Sequence, residues 1–377
     1  MSFTSSHAIA TVVAASTLCL SPASTSTLMQ ALPPSETGPT TPPKAVTLAP
    51  GQPAPPIVIE EWLKGPPVER FEPGTIYVLE FWATWCGPCL AGIGHLTLLQ
   101  REYASNGVVV VGITSKDSRN ALPAVKEMVS LRGNGMAYSV AWDGSTITYK
   151  RYISAARVGG IPVSFVVGKD GIIEFIGHPH ALELVLPKLV DGTWNRDRDL
   201  AEVREAERLG KAMEDLIRTK PAEAMTRFTE LARRWPRYAE QFLGTRSEIE
   251  RGMGDTDAWA KTLDQMEARA LSADDFLSLR GLAARTLAHR SAPGMADRCL
   301  RVATAAVRLS GERDSLSLRL LAKVHHDLGN ATEAIRVMTK AVERSDASMK
   351  GRLQQELDAW TAEAGSAPPT PATKPTS

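Results

Sequence analysis

The chain has 377 residues, enough for two or three domains that each bury a core. Its 43 Lys and Arg against 42 Asp and Glu give a net charge of +1, with no block of like charge, and so no argument for nucleic acid or another polyanionic partner. Four cysteines, Cys19, Cys86, Cys89 and Cys299, are too few for a disulfide framework.

Residues 8–20 (AIATVVAASTLCL) form an apolar stretch too short to cross a bilayer as a mature helix, and Ser21-Pro22-Ala23 offers a small-residue cleavage site. Residues 1–23 are therefore expected to be an export signal leading to a periplasmic or other extracytoplasmic location. No Lys or Arg precedes Lys44, so the alternative is a mildly apolar N-terminus. Cys19 follows Leu18, where a lipidation signal needs a small residue. No other stretch is long and apolar enough for a transmembrane helix. Residues 24–48, rich in Ser, Thr, Pro and Ala, read as a flexible tether.

From about 49 to 194 the pattern is mixed. Strands are expected at 76–82, 108–114, 138–142, 163–167 and 172–176, and helical stretches near 87–104, 120–132 and 146–154. Asp170-Gly171 between the last two strands signals a hairpin. After Trp194 the strand runs vanish, and Ala, Leu, Glu and Arg dominate over 195–364. Ala224, Phe228 and Leu231 lie at i, i+4, i+7 of a helix; Trp259/Leu263/Met266, Ala296/Leu300/Ala303 and Ala334/Met338/Ala341 repeat that spacing at offsets of 35, 37 and 38 residues. The last unit, with Leu321-Ala322, His325 and Gly329 ahead of Ala334, resembles the tetratricopeptide motif. The alternative is a generic helical bundle. The tail 365–377 is disordered by composition.

Chemistry concentrates at FWATWCGPC, residues 81–89. The β-branched and aromatic run 76–82 reads as a buried strand interrupted by Glu80, and Gly87-Pro88 stop it before an apolar-periodic helix. A cysteine at a helix start is flanked by backbone N–H groups and the positive end of the macrodipole, both of which favour thiolate. Cys86 is thus expected to be the exposed nucleophile, with Cys89, one turn in, resolving the mixed disulfide. A zinc site would need further ligands, and His325-His326 point apart on a helix. A purely structural disulfide here would close a tiny loop and stabilise little.

The nine-residue stretch resembles the active site of the thioredoxin superfamily, and is most similar to the exported TlpA/ResA-like thiol-disulfide oxidoreductases. The likeness covers about 49–190: Leu48-Ala49-Pro50-Gly51 resembles the opening segment, Gly160-Ile161-Pro162 the cis-proline loop, and Val166 to Gly171 the strand and turn after it. It implies an α/β thioredoxin-like fold, a central mixed sheet flanked by helices, followed here by an all-α, tetratricopeptide-like helical-repeat region. It also implies that Pro162 is cis and holds Ile161 ready to pair with a substrate strand. Trp85 would line the partner surface, and Glu80, in the slot of a buried acid, would move protons at Cys89. For Glu80 the alternative is an edge residue reaching solvent. Where relatives carry glutamate and proline after the second cysteine, this chain has Gly92 and Gly94. Ile176-Gly177-His178-Pro179 is shared with some relatives, and the residues suggest no chemistry for it.

The expected activity is reduction of protein disulfides, drawing on an electron donor that the residues do not identify, with the helical repeats binding a protein partner. No cofactor or metal is called for. A thiol peroxidase would need a lone peroxidatic cysteine with a nearby Thr and Arg. A non-enzymatic adaptor would not need Cys86, Cys89 and Pro162. Cys299, beside Leu300, reads as a buried small residue, with a second redox thiol as the alternative.

Overall fold

The computed structural model describes residues 47–366. The expected export signal, Cys19, nearly all of the tether and the end of the tail lie outside the described residues.

Six strands form one sheet: β1 (Glu61–Lys64), β2 (Ile76–Trp82), β3 (Val108–Ser115), β4 (Ser139–Asp143), β5 (Val163–Val167) and β6 (Ile173–Gly177), in the order β1-β4-β3-β2-β5-β6. β2, β3 and β4 run parallel; β1, β5 and β6 add antiparallel neighbours. The expected strands are present, and the hairpin at Asp170-Gly171 joins β5 to β6, with Gly171 at φ +79° and Gly168 N–H donating to the Ile172 carbonyl at 2.8 Å. β1 was not expected; it is a four-residue, half-buried edge strand without a clear alternation.

Alternation along the strands divides the core. Ile76, Val78, Trp82, Val108, Val110 and Val166 face one side, under α1 (Gly87–Tyr103), α2 (Leu122–Arg132) and α4 (Leu182–Val190). Tyr77, Leu79, Phe81, Val111, Ile113 and Phe165 face the other, covered by Leu48, Ile57, Val68 and Phe71 of the incoming chain and by Tyr152 and Ile153. The last two lie in the helical stretch expected at 146–154, which is a single turn, α3 (Ile147–Tyr149), continuing as a π-helix over Lys150–Ser154. α4, an apolar run with Pro187 inside it, was not among the expected helices.

The chain then becomes entirely helical: α5 (Arg196–Glu214), α6 (Pro221–Arg234), α7 (Pro236–Ala239), α8 (Leu243–Met253), α9 (Thr256–Ser272), α10 (Phe276–Leu287), α11 (Met295–Leu309), α12 (Ser315–Asp327), α13 (Ala331–Arg344) and α14 (Ala347–Ser366). Side-chain caps start several of them: Asn195, Asp255, Asp275 and Asp314 accept from backbone N–H groups of the first turns, each worth about 1 kcal/mol. Gly254 and Gly329 follow α8 and α12 in left-handed conformation. Neighbouring helices stack in chain order. Ala224, Phe228, Leu231, Trp259, Leu263, Ala334, Met338 and Ala341 are buried as their spacing implied. In α11 the buried stripe is Met295, Cys299 and Val302, one residue ahead of the Ala296/Leu300/Ala303 set, because Ala296 and Leu300 are only half-buried. His326 stacks on Trp360 at 4.4 Å.

Composition changes after Trp194, yet the buried cluster under the sheet continues through Val203, Leu209, Phe228 and Trp235 to Ile249 of α8. A second cluster begins at Trp259 and runs to Trp360. Among the described residues no helix is long and apolar enough to cross a membrane.

Candidate active site

The site lies where β2 ends and α1 begins. Cys86 and Cys89 form a disulfide with Cα atoms 5.3 Å apart. Cys86 is the N-cap of α1 in extended conformation, Gly87 and Pro88 open the helix, and no acidic residue lies in its first turn. The Cys89 N–H points at Cys86 Sγ at 3.2 Å, so a helix-start donor that would otherwise lack a partner is aimed at the sulfur.

Cys86 is only 4% exposed, less open than a helix-start thiol was expected to be. The disulfide turns its sulfur inward towards Cys89, and the Ile161 carbonyl oxygen lies 3.8 Å away. The peptide bond that follows, Ile161-Pro162, is cis. Trp85, by contrast, is 41% exposed. Its indole N–H donates to Asp117 at 2.9 Å, and the Arg119 guanidinium lies 4.0 Å over its ring. Trp85, Tyr149, Phe81, Gly160 and Ile161, with Lys116 and Lys150, line a groove of about 640 Å³.

Glu80 is 2% exposed on a strand with neighbours on both sides, not on an edge. Even-numbered residues of β2 face α1, so Glu80 shares its side of the sheet with Cys89 and Ile93. Its partners in register are Gly112 and Ser164, and the Ser164 hydroxyl is hydrogen-bonded to its carboxylate. Gly112 leaves room for Tyr138 and Trp82: a Cβ there would lie 2.9 Å from Tyr138 and 3.2 Å from Trp82 Nε1. Burial pushes the Glu80 carboxyl up to about 8, against the opposing hydrogen bond from Ser164. It therefore holds a proton near neutrality.

Asn120 was not singled out in the sequence. Fully buried, it accepts from Thr84 N–H at 3.0 Å and the Thr84 hydroxyl at 2.8 Å, and donates to Thr114 Oγ1 and the Ser115 carbonyl, both at 2.8 Å. It thus fastens the loop before Cys86 to the end of β3. An asparagine just ahead of a helix reads by default as its cap, so the sequence carries no signal for this role.

On the far side of α1, a second cavity of about 390 Å³ lies between Pro88, Ala91, Gly92 and Gly94 and the helices α8 to α10, with His178 and His180 in its wall. His178 Nδ1 accepts from the His180 N–H at 3.2 Å, and burial keeps both rings below their ordinary range. Gly92 and Gly94 therefore lie where the helical region meets the redox helix. Cys299 is in α11, buried, with its sulfur 3.3 Å from the Ala283 carbonyl, and is held above its ordinary range by burial. Among the described residues no cluster of His, Cys, Asp and Glu could hold a metal ion.

The family model described as the AhpC/TSA family matches residues 50–176. Protein FixW of Rhizobium leguminosarum is 32% identical over 148 residues, which cover 38% of this chain and 67% of FixW. Thiol:disulfide interchange protein DsbE of Tatumella citrea is 32% identical over 167 residues, covering 39% of this chain and 82% of DsbE. Thiol-disulfide oxidoreductase ResA of Bacillus anthracis is 31% identical over 122 residues, covering 32% of this chain and 65% of ResA. The chain thus spans about two thirds of the length of FixW and ResA.

Proposed function

The chain belongs to the thioredoxin-like thiol-disulfide oxidoreductases of the AhpC/TSA family, and from that premise we propose that it is an exported reductase of protein disulfides acting through the Cys86/Cys89 dithiol. The observation that carries the reading is a cysteine pair at a helix N-terminus, with a sulfur 3.8 Å from the Ile161 carbonyl beside Pro162 and a buried, proton-holding Glu80 on the same side of the sheet. Reduced Cys86 attacks a partner disulfide; the S–S bond breaks, one partner sulfur leaves as thiolate, and a mixed disulfide forms. Cys89 then attacks Cys86 Sγ, releases the second partner thiolate and closes the disulfide seen here. Two electrons pass to the partner, and an external dithiol donor restores the pair. The ionised fraction of Glu80, a minority at neutral pH that grows as pH approaches 8, takes the proton from Cys89 as it attacks.

The cis-proline loop at Ile161 and the aromatic groove at Trp85 support an extended peptide substrate. The apolar stretch 8–20 supports export, and the 35–38-residue spacing of the helical region supports tetratricopeptide-like stacking that binds a protein partner. Gly-Pro between the cysteines supports the reducing direction.

In a dithiothreitol-driven assay on an accessible protein disulfide, Cys86→Ser is expected to fall to the uncatalysed background. Cys89→Ser should accumulate a mixed disulfide with the substrate. Wild-type turnover in Cys86→Ser, with Cys89→Ser dead, would reverse the roles. Peroxide consumption without disulfide reduction would make the protein a peroxidase.

A further inference from the structure

The wall of the second cavity contains Asp275, and behind it lies a charge that the redox chemistry above does not use. Arg132, in the last turn of α2, is 2% exposed. Its Nη1 donates to Asp275 Oδ1 at 2.8 Å, and its Nη2 to the carbonyl oxygen of Leu90 at 2.8 Å. Leu90 directly follows Cys89. Asp275 comes from the helical region, where it caps α10 by accepting from the N–H groups of Leu277 and Ser278 and from the Ser278 hydroxyl.

The approach depends on bare backbone. A Cβ at Gly94 would lie 2.7 Å from Asp275 Oδ2, and one at Gly135 would lie 2.6 Å from the Asp274 carbonyl oxygen. The redox helix, the end of α2 and the α9–α10 turn therefore interlock around one buried ion pair, a residue away from the dithiol. Such a pair is a poor source of stability, because desolvation of both charges offsets their attraction. A buried cation beside a dithiol does something else. It favours thiolate over disulfide, and the completeness of its neutralisation decides how strongly.

We propose that Asp275 is a positioning residue for the Cys86–Cys89 pair, acting through Arg132: the helical region supplies the counter-charge that holds the first turn of α1 and sets the redox equilibrium of the disulfide. The proposal rests on the redox reading of the two cysteines. The other charged or titratable groups facing this point, Glu80 on β2, Tyr138 ahead of β4 and Arg280 on α10, are unchanged in the test and form a constant background.

The test equilibrates the full chain in glutathione buffers and counts reduced cysteines by alkylation. Two glutathione thiols become one glutathione disulfide as the Cys86–Cys89 bond takes up two electrons and two protons. In Asp275→Asn, which keeps the capping oxygen, the lone Arg132 cation should favour the reduced form about tenfold, close to 30 mV. In Arg132→Gln, the lone Asp275 carboxylate should shift the equilibrium about threefold the other way. Both variants lose the same ion pair, and Arg132→Gln also loses the Leu90 contact; loosening of α1 would move both equilibria in one direction, so opposite signs report charge. Unchanged equilibria, or shifts of one sign, in folded protein would overturn the proposal. Where neither single variant folds, Arg132→Gln/Asp275→Asn leaves no lone buried charge. Loss of the Leu90 contact should then slow alkylation of reduced Cys86 about threefold, as the helix-start donors lose alignment, and a wild-type rate would overturn the proposal. A wild-type pair that never exchanges with glutathione would instead defeat the redox reading itself.

Discussion

In the sheet region two buried polar side chains serve the cysteines: Glu80, on Ser164 under the redox helix, and Asn120, on the loop that leads to Cys86. In the helical region some close helix ends, as Asp314 and Ser317 do at the start of α12, some return to their own helix, as Thr286 does to Leu282, and others join helices, as Glu267 does with Arg301. Burying a polar group costs free energy unless it is paired. One region accepts that cost where protons and electrons move; the other uses its polar groups to stop and start helices. Asp275 does both, which is why the two regions are best compared through the contacts between them.

The largest effect should come from separating the regions. A fragment of residues 47–194 loses the cover of α5 and α8 over the sheet cluster, exposing its apolar side chains, and opens Arg132 to solvent without Asp275. It is expected to melt without cooperativity. A fragment of residues 256–366 carries a buried cluster of its own and should melt cooperatively as helix by circular dichroism. A stable, cooperative 47–194 fragment would erase the coupling argued here.

Glu80→Gln should move activity and stability in opposite directions. General acid–base help is worth about 10²-fold or less where the nucleophile is already good, so disulfide reduction should slow measurably. The unfolded chain ionises this carboxyl from about 4.5, while the folded chain holds it protonated to about 8. Wild-type stability therefore falls across that window, by up to ~1.4 kcal/mol per pH unit. Glutamine cannot ionise. The variant should match wild type near pH 4 and exceed it by a few kcal/mol at pH 8; parallel melting curves at both pH values would mean a solvated carboxylate.

Asn120→Ala removes four hydrogen bonds and strands the Thr84 N–H, at a cost of about 2–3 kcal/mol. The loop before Cys86 then loses its anchor, so activity should fall in native conditions as well. Stability loss with full activity would reduce Asn120 to a structural clamp.

The smallest effect belongs to the other region's cysteine. Cys299→Ala deletes one buried sulfur and should cost about 1 kcal/mol in denaturant unfolding, with disulfide reduction unchanged. Loss of activity would make Cys299 a second redox thiol.

The redox pair was legible because everything that defines it lies within one strand and one helical turn. A β-branched run, a Gly-Pro stop and cysteines three residues apart are short-range facts, and neighbours in sequence must be neighbours in space. The β-branched and aromatic runs of β2, β3 and β5 were likewise legible as strands, and helical spacing found the buried stripes of α6, α9 and α13. In α11 it slipped by one residue, since Met295 and Ala296 are both apolar and the spacing alone does not choose between them. Strand order made Glu80 central instead of peripheral. The clamp from Asn120 to Thr84, the bare contact at Gly94 and the path from Leu90 through Arg132 to Asp275 join residues 36 to 181 positions apart in the chain. Such contacts have no period and no local composition to betray them. They exist because tertiary packing brings two helices and a turn together at one point, and only the folded chain could show where that point is.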